Sequence, residues 1–264
     1  MRVLITGAAG FLGVGAFPAE AYVHLTMTFL ARGYQVVGVD NYLTGSKRNI
    51  QDLETNENFS FIFHDVIRPL YVREHLDGIF HLACPASPVK YLRHPIETLE
   101  VCSKGTHNLL NLAKAKDCGF LLASTSEVYG DPKQNPQTES YWGNVNPVGP
   151  RSVYDEGKRY AEALTVAYGN SHNVPTMIAR IFNTYGTRMR IKDGRVVSNF
   201  INQALKGKPL TVYGDGSHTR SFCYVDDTVD GLYALFKSKQ GEPINIGNPN
   251  EIQVGDLARR IVQM

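Results

Sequence analysis

Apolar residues fall in short uninterrupted runs that alternate with segments of helical spacing. The runs at 3–6, 35–40, 59–64, 78–83, 120–124 and 176–182 are rich in Val, Ile, Leu and Phe. Runs of this kind predict strands buried on both faces by helices, which is the doubly wound α/β arrangement of a parallel sheet. No internal repeat and no low-complexity linker interrupts the series.

Residues suited to ligand contact stand where these runs end: Gly7, Asp40, Asp65, Cys84 with Pro85, the trio Thr125, Ser126 and Glu127, and Asn183. In an open parallel sheet the ligand crevice lies outside the carboxyl ends of the strands, so these positions are expected to converge. Beyond Asn183 the texture changes to loop-rich stretches at 185–197 and 213–221. The expected organisation is a dinucleotide-binding domain over 1–183, carrying the Tyr154 helix, and a smaller lobe over 184–264 that closes on a nucleotide-linked ligand.

Composition narrows the function classes. The 264 residues suit one α/β unit with a smaller lobe. A net charge of +2, from 27 basic and 25 acidic residues, gives no reason to expect nucleic acid or an anionic membrane as partner. No apolar run approaches the ~20 residues of a membrane span. A strand follows Met1 almost at once, leaving no room for a secretory signal, so a soluble cytoplasmic protein is expected. Cys84, Cys102, Cys118 and Cys223 lack zinc-ligand spacing and read as reduced, buried thiols, with no metal site.

The segment from Gly7 to Gly13 (GAAGFLG) follows the first run with the spacing G-x-x-G-x-x-G. Glycines there permit a tight turn and let backbone amides approach a pyrophosphate, with Phe11 and Leu12 carried on the same turn. Asp40, with Asn41 beside it, ends the second run; an acid there accepts hydrogen bonds from both ribose hydroxyls and repels a 2'-phosphate, which selects NAD over NADP. Lys47 and Arg48 nearby read as solvated loop cations. Asp65, followed by Val66, either reaches the adenine or is an ordinary turn residue. One feature fits badly: Asp40 lies farther from Gly13 than the ~20 positions expected, and Pro18 falls where the first helix should run. The expected outcome is a helix that restarts near Ala19, with its N-terminus displaced from the pyrophosphate.

Tyr154 and Lys158 stand four residues apart, hence on one face of a helix. A neighbouring cation favours the phenolate and can bring tyrosine into use as a base. The run at 120–124 leads directly into Thr125, Ser126 and Glu127, where a hydroxyl can bind the sugar oxygen whose proton Tyr154 removes.

Several motifs together carry a family resemblance over nearly the whole chain: HLACPASP at 81–88, STSEVYGDP at 124–132, YDEGKR at 154–159, RIFNTYG at 180–186, GRVVSNF at 194–200 and LTVYGDGSHTR at 210–220. The chain resembles the UDP-glucuronate decarboxylases, a branch of the extended short-chain dehydrogenases. The resemblance implies a Rossmann-type doubly wound sheet with a smaller C-terminal lobe, bound NAD, a UDP-glucuronate substrate and a homodimer formed through a four-helix interface. It implies Tyr154 as base, Lys158 as the residue that tunes it and holds the nicotinamide ribose, Thr125 and Ser126 near C4, and Glu127 near the carboxylate or a protonating water. Arg220 is assigned to either the diphosphate or the departing carboxylate. Leu82, Ala123, Thr184 and Arg195 are implied as cofactor contacts, and Asn183, Ser198, Asn199, Phe200 and Tyr213 as nucleotide contacts.

Departures from the family pattern are local. Ten residues at 14–23 separate the glycine turn from His24 and Leu25; Glu100 and Cys102 replace a lysine and an asparagine; Thr187 replaces a proline. Glu100 is expected to set an acid near the glucuronate. The resemblance also implies further helices of the smaller lobe beyond Met264. Two other readings stay open: a UDP-sugar 4-epimerase or 4,6-dehydratase that shares the opening oxidation, and an NAD-binding pseudo-enzyme impaired by these departures.

Overall fold

The computed structural model describes residues 1–13, 24–191 and 193–264. The segment 14–23, with Pro18 and the expected restart near Ala19, lies outside the described residues. Among the described residues no helix is long and apolar enough to cross a membrane.

The elements up to the end of the first half are β1 (Arg2–Thr6), α1 (Leu25–Ala31), β2 (Gln35–Asp40), β3 (Phe59–Phe63), β4 (Gly78–His81), α2 (Pro88–Arg93), α3 (Pro95–Glu100), α4 (Thr106–Lys116) and β5 (Gly119–Thr125). There follow α5 (Ser152–His172), β6 (Thr176–Ile181), β7 (Thr184–Tyr185), α6 (Val196–Leu205), β8 (Thr219–Ser221), β9 (Cys223–Tyr224), α7 (Val225–Ser238), β10 (Ile244–Ile246), β11 (Glu251–Gln253) and α8 (Val254–Gln263). A π-type turn over Val101–Gly105 joins α3 to α4.

The central sheet has seven strands in the order β10-β6-β5-β4-β1-β2-β3, and every pairing within it is parallel. Each apolar run read from the sequence is one of these strands. The inner strands are buried on both faces because α1 and α7 cover one side and α4 and α5 the other, whereas the edge strand β3 stays partly exposed. Phe29 of α1 and Val229, Leu232 and Phe236 of α7 pack with Val3, Ile5 and Phe80. On the opposite side Leu109 and Leu110 of α4 and Ala161 of α5 pack with Leu4, Ile79 and Phe120.

A division at 183/184 is therefore not a division of the core. Helix α7 and strand β10 return to the central sheet, β10 pairing with β6 from Ile244 opposite Ala179 to Ile246 opposite Ile181. The apolar stripe of α7, with Val229, Leu232 and Phe236, is buried against that sheet. What remains outside the sheet is α6, α8 and the short pairs β8–β11 and β7–β9.

Helix α1 begins at Leu25, and its first turn bonds back to the glycine turn. Leu25 N–H donates to the Leu12 carbonyl and Thr26 N–H to the Gly13 carbonyl, both at 3.1 Å. These are the bonds an α-helix would make if His24 stood two places after Gly13, because each joins an amide to the carbonyl four positions back once 15–23 are left out of the count. The glycine turn is thus joined directly to the helix N-terminus, and the expected displacement of that terminus does not occur.

Candidate active site

Gly7 ends β1 with φ of +71°, and a Cβ there would stand 2.9 Å from backbone atoms of Leu82 and Ala83. Gly13 is equally constrained: its Cβ would meet the Ala8 carbonyl oxygen at 2.4 Å. Only glycine lets this turn lie flat on the strand ends, and the turn opens into one cleft of about 480 Å³ along the carboxyl edge of the sheet.

The cleft is lined by Gly7, Gly10, Phe11, Leu12, Gly13, Asp40, Asn41, Asp65, Val66, Leu82, Ala123, Thr125, Ser126, Glu127, Tyr154, Lys158, Asn183, Thr184, Arg195 and Arg220. Four residues named from the sequence are not brought to it. Ser198 bonds its hydroxyl to the Arg195 carbonyl, Asn199 lies on the same helix, Phe200 is buried within the smaller lobe, and Tyr213 is 86% exposed. Helix α6 explains the first three: only its start, Arg195 to Val197, faces the cleft.

At the glycine-turn end, Asp40 is buried and its carboxylate accepts the N–H of Ala9 at 3.0 Å and of Tyr42 at 2.7 Å. Burial raises its pKa and these backbone donors oppose the rise. Lys47 pairs with Glu54, and neither Lys47 nor Arg48 lines the cleft.

At the other end α5 presents Tyr154 and Lys158, both buried, toward the end of β5. Lys158 Nζ donates to the Ala123 carbonyl at 2.8 Å and lies 6.0 Å from the centre of the Tyr154 ring. Burial pushes the phenol well above its ordinary value and negative charge at Cys84 adds to this, while the Thr125 hydroxyl and Arg195 pull the other way. Lys158 thus stands on the same helix face as Tyr154, as its spacing implies, with its ammonium anchored on a carbonyl. Thr125 also accepts the Glu127 N–H at 3.2 Å, which turns the chain sharply at the strand end.

Three sets of contacts around the cleft are not legible in the sequence. Tyr91 of α2, 1% exposed, stacks on Tyr154 with ring centres 5.1 Å apart and planes 7° from parallel. Arg151, just before α5, grips the Glu127 carboxylate and lies 3.8 Å from Asp155. Its place three residues before Tyr154 was the only available signal. Arg188 and Arg190 fold the stretch after β7 over the glycine side, donating to the Asn49 carbonyl and Asp52 and to the Gly45 carbonyl.

Glu100 is a correction. It pairs with Lys104 at 2.8 Å and does not line the cleft; Glu97, one helical turn earlier, does. Thr187 contributes its backbone carbonyl, which accepts the N–H of His24 Nε2 at 3.0 Å and ties the start of α1 to the smaller lobe. Among the described lining residues, the cations Lys90, Arg151, Lys158, Arg188, Arg190, Arg195 and Arg220 outnumber the acids Asp40, Asp65, Glu97, Glu127 and Asp193, a balance that favours an anionic ligand. No group of His, Cys, Asp and Glu among them is arranged to hold a metal ion.

Sheet order, glycine turn and the paired tyrosine and lysine define a dinucleotide-binding α/β protein. The chain belongs to the NAD dependent epimerase/dehydratase family, whose sequence profile matches residues 3–247. It is 52% identical over 263 residues to UDP-glucuronic acid decarboxylase 1 of Xenopus tropicalis, covering all of this chain and 60% of that protein. It is 53% identical over 259 residues to UDP-glucuronic acid decarboxylase 4 of Arabidopsis thaliana, covering 98% of this chain and 56% of that protein. The chain therefore spans little more than half the length of these curated relatives. Among solved structures, UDP-glucuronic acid 4-epimerase from Bacillus cereus in complex with NAD superposes with a TM-score of 0.83 at 32% identity, over all of this chain and 83% of that one.

Proposed function

We propose that this chain decarboxylates UDP-glucuronate to UDP-xylose and CO2 through a 4-keto intermediate, using bound NAD. The observation that carries the reading is the meeting of Thr125, Glu127 and Tyr154 on one wall of the cleft whose far end is the glycine turn and Asp40. The relatives named UDP-glucuronic acid decarboxylases supply the substrate class.

The residues present fit NAD. The glycine turn is hydrogen-bonded to the first turn of α1, and the Asp40 carboxylate, with about four acceptor sites of which backbone donors take two, keeps capacity for ribose hydroxyls. When bound, NAD supplies a hydride acceptor at the sugar's C4 and later returns the hydride. Thr125 orients the C4 oxygen, and Tyr154 removes its proton. With C4 a ketone, the C5 carboxylate belongs to a β-keto acid, so the electrons left by CO2 pass into the carbonyl as an enolate. The Tyr154 phenol and Thr125 hydroxyl stabilise that oxyanion, which lowers the barrier. Glu127, fixed by Arg151, holds the water that protonates C5. Arg220, exposed at the cleft wall, meets either the diphosphate or the carboxylate, and its planar fork suits both.

The purified chain, incubated with UDP-glucuronate beside a UDP-glucose control, is expected to yield UDP-xylose by anion-exchange chromatography. UDP-galacturonate instead would establish the epimerase reading, and bound NAD without any product the pseudo-enzyme reading. We also propose a cytoplasmic homodimer. Exposed Leu92, Ile96 and Leu99 lie near α5, which exposes Tyr160 and Val166, and together they supply apolar surface for a partner. Light scattering on the purified chain tests the dimer.

A further inference from the structure

Beneath Tyr154 lie two sulfur atoms that the proposed reaction does not use. Cys84, at the loop after β4, lines the cleft between Ala83 and Pro85. Cys102, in the π-type turn over Val101–Gly105, is 2% exposed and stands outside the cleft lining. Eighteen residues apart in sequence, their Sγ atoms are 3.6 Å apart. A disulfide needs ~2.05 Å, so an approach of about 1.5 Å joins them.

We infer that Cys84 and Cys102 form an oxidisable dithiol, a modification site set into the wall of the cleft, whose closure to a disulfide disables the site. Cys84 is the attacking thiol: it opens to the cleft, and the hydrogen bond from Cys102 together with the Lys158 ammonium brings it down to about 7 against the opposing effect of burial. The other two cysteines are set apart. Cys118 is pushed up to about 12 by burial, and burial raises Cys223 as well. Neither has a second sulfur beside it in the way Cys84 has, and the thiolate is the form that reacts.

With hydrogen peroxide as oxidant the step balances. The Cys84 thiolate attacks one peroxide oxygen; an S–O bond forms, the O–O bond breaks, and hydroxide leaves as water after protonation. The Cys102 sulfur then attacks Cys84; the S–S bond forms, the S–O bond breaks, and a second water carries off the Cys102 proton. Two thiols lose two electrons and the peroxide gains them. The geometry gives the closure its consequence. A Cβ at Gly157 would lie 3.3 Å from both Cβ and Sγ of Cys102, so α5 rests directly on this residue between Tyr154 and Lys158. Drawing the sulfurs together moves either the loop that leads to Tyr91 or the helix that carries the phenol.

The loss of turnover rests on the decarboxylase reading, whereas the bond itself does not. The reduced chain is treated with hydrogen peroxide at neutral pH, alkylated after denaturation and digested. Mass spectrometry is expected to find one cross-linked peptide joining Cys84 to Cys102, with Cys118 and Cys223 alkylated. Turnover on UDP-glucuronate should fall in step with the yield of that peptide and return on treatment with dithiothreitol. Cys102→Ser should lose the cross-link and the reversible inhibition. Peroxide that oxidises Cys84 without any Cys84–Cys102 peptide overturns the inference, as does inhibition of Cys102→Ser that reverses just as fully. A reduced chain with no turnover counts against the proposed function alone, and the cross-linked peptide still decides the dithiol.

Discussion

Leu25 donates its backbone N–H to the carbonyl of Leu12 at 3.1 Å, closing a helical turn between residues thirteen positions apart in the sequence. Because that turn is closed, the positive end of the α1 dipole and the glycine-turn amides already face the same cleft. Removing 15–23 is therefore expected to leave NAD affinity within about twofold of the intact chain, a difference of ~0.4 kcal/mol. Calorimetric titration of both forms checks this. Markedly tighter binding by the shortened chain would mean that the helix terminus is displaced in solution.

Tyr154→Phe deletes one oxygen and keeps the ring that stacks on Tyr91. Turnover should fall by about 10²- to 10⁴-fold, the usual contribution of a positioned acid or base. Bound NAD, measured after denaturing release, should be unchanged. A variant that turns over normally would remove Tyr154 from the chemistry.

Glu127→Ala separates oxidation from decarboxylation. Without the carboxylate that Arg151 fixes, CO2 release and C5 protonation should slow more than oxidation at C4. Single-turnover absorbance near 340 nm, where NADH absorbs, is expected to rise and persist. Product formation that falls with no such rise would place Glu127 in binding.

Buried histidine sets an acid limit on stability. His81 Nδ1 and the Thr6 hydroxyl share a hydrogen bond of 2.9 Å, and burial, reinforced by Lys158, lowers the pKa of His81 to about 3. Below ~6.5 the unfolded chain takes up a proton that the folded chain refuses, so stability is lost as pH falls from ~6.5 toward 3, at about 1.4 kcal/mol per pH unit for this group. His24, also lowered by burial, acts in the same direction. Melting temperatures at pH 7 and pH 5 should show the drop, and His81→Gln should show less of it. A flat profile would mean that His81 is protonated in the fold.

The inner apolar runs were legible because helices cover both faces of the sheet and leave no polar alternation, while the run at 59–64, a partly exposed edge strand, was legible through its aromatic and β-branched residues. Strand β10 was not, since Ile244-Asn245-Ile246 is too short to differ from a loop until β6 is there to pair with it. The glycine turn, Asp40, Thr125 and Glu127 were legible at strand ends, and Tyr154 and Lys158 through their four-residue spacing on α5. What spacing could not give was helix phase and distant partners. Glu100 and Glu97 sit one turn apart, and only packing decides which faces the cleft. Tyr91 reaches Tyr154 from a different helix, and Cys84 meets Cys102 across two segments.

In the proposed reaction, oxidation and reduction occur at the same sugar carbon within one cleft, with CO2 lost between them. UDP-glucuronate carrying deuterium at C4 tests it most directly, with the reaction run in ordinary water and repeated, without label, in heavy water. The expected product is UDP-xylose that keeps the deuterium at C4 in the first case and gains one deuterium at C5 in the second. UDP-xylose that has lost the C4 label to solvent, or no UDP-xylose from a folded chain with NAD bound, would contradict it.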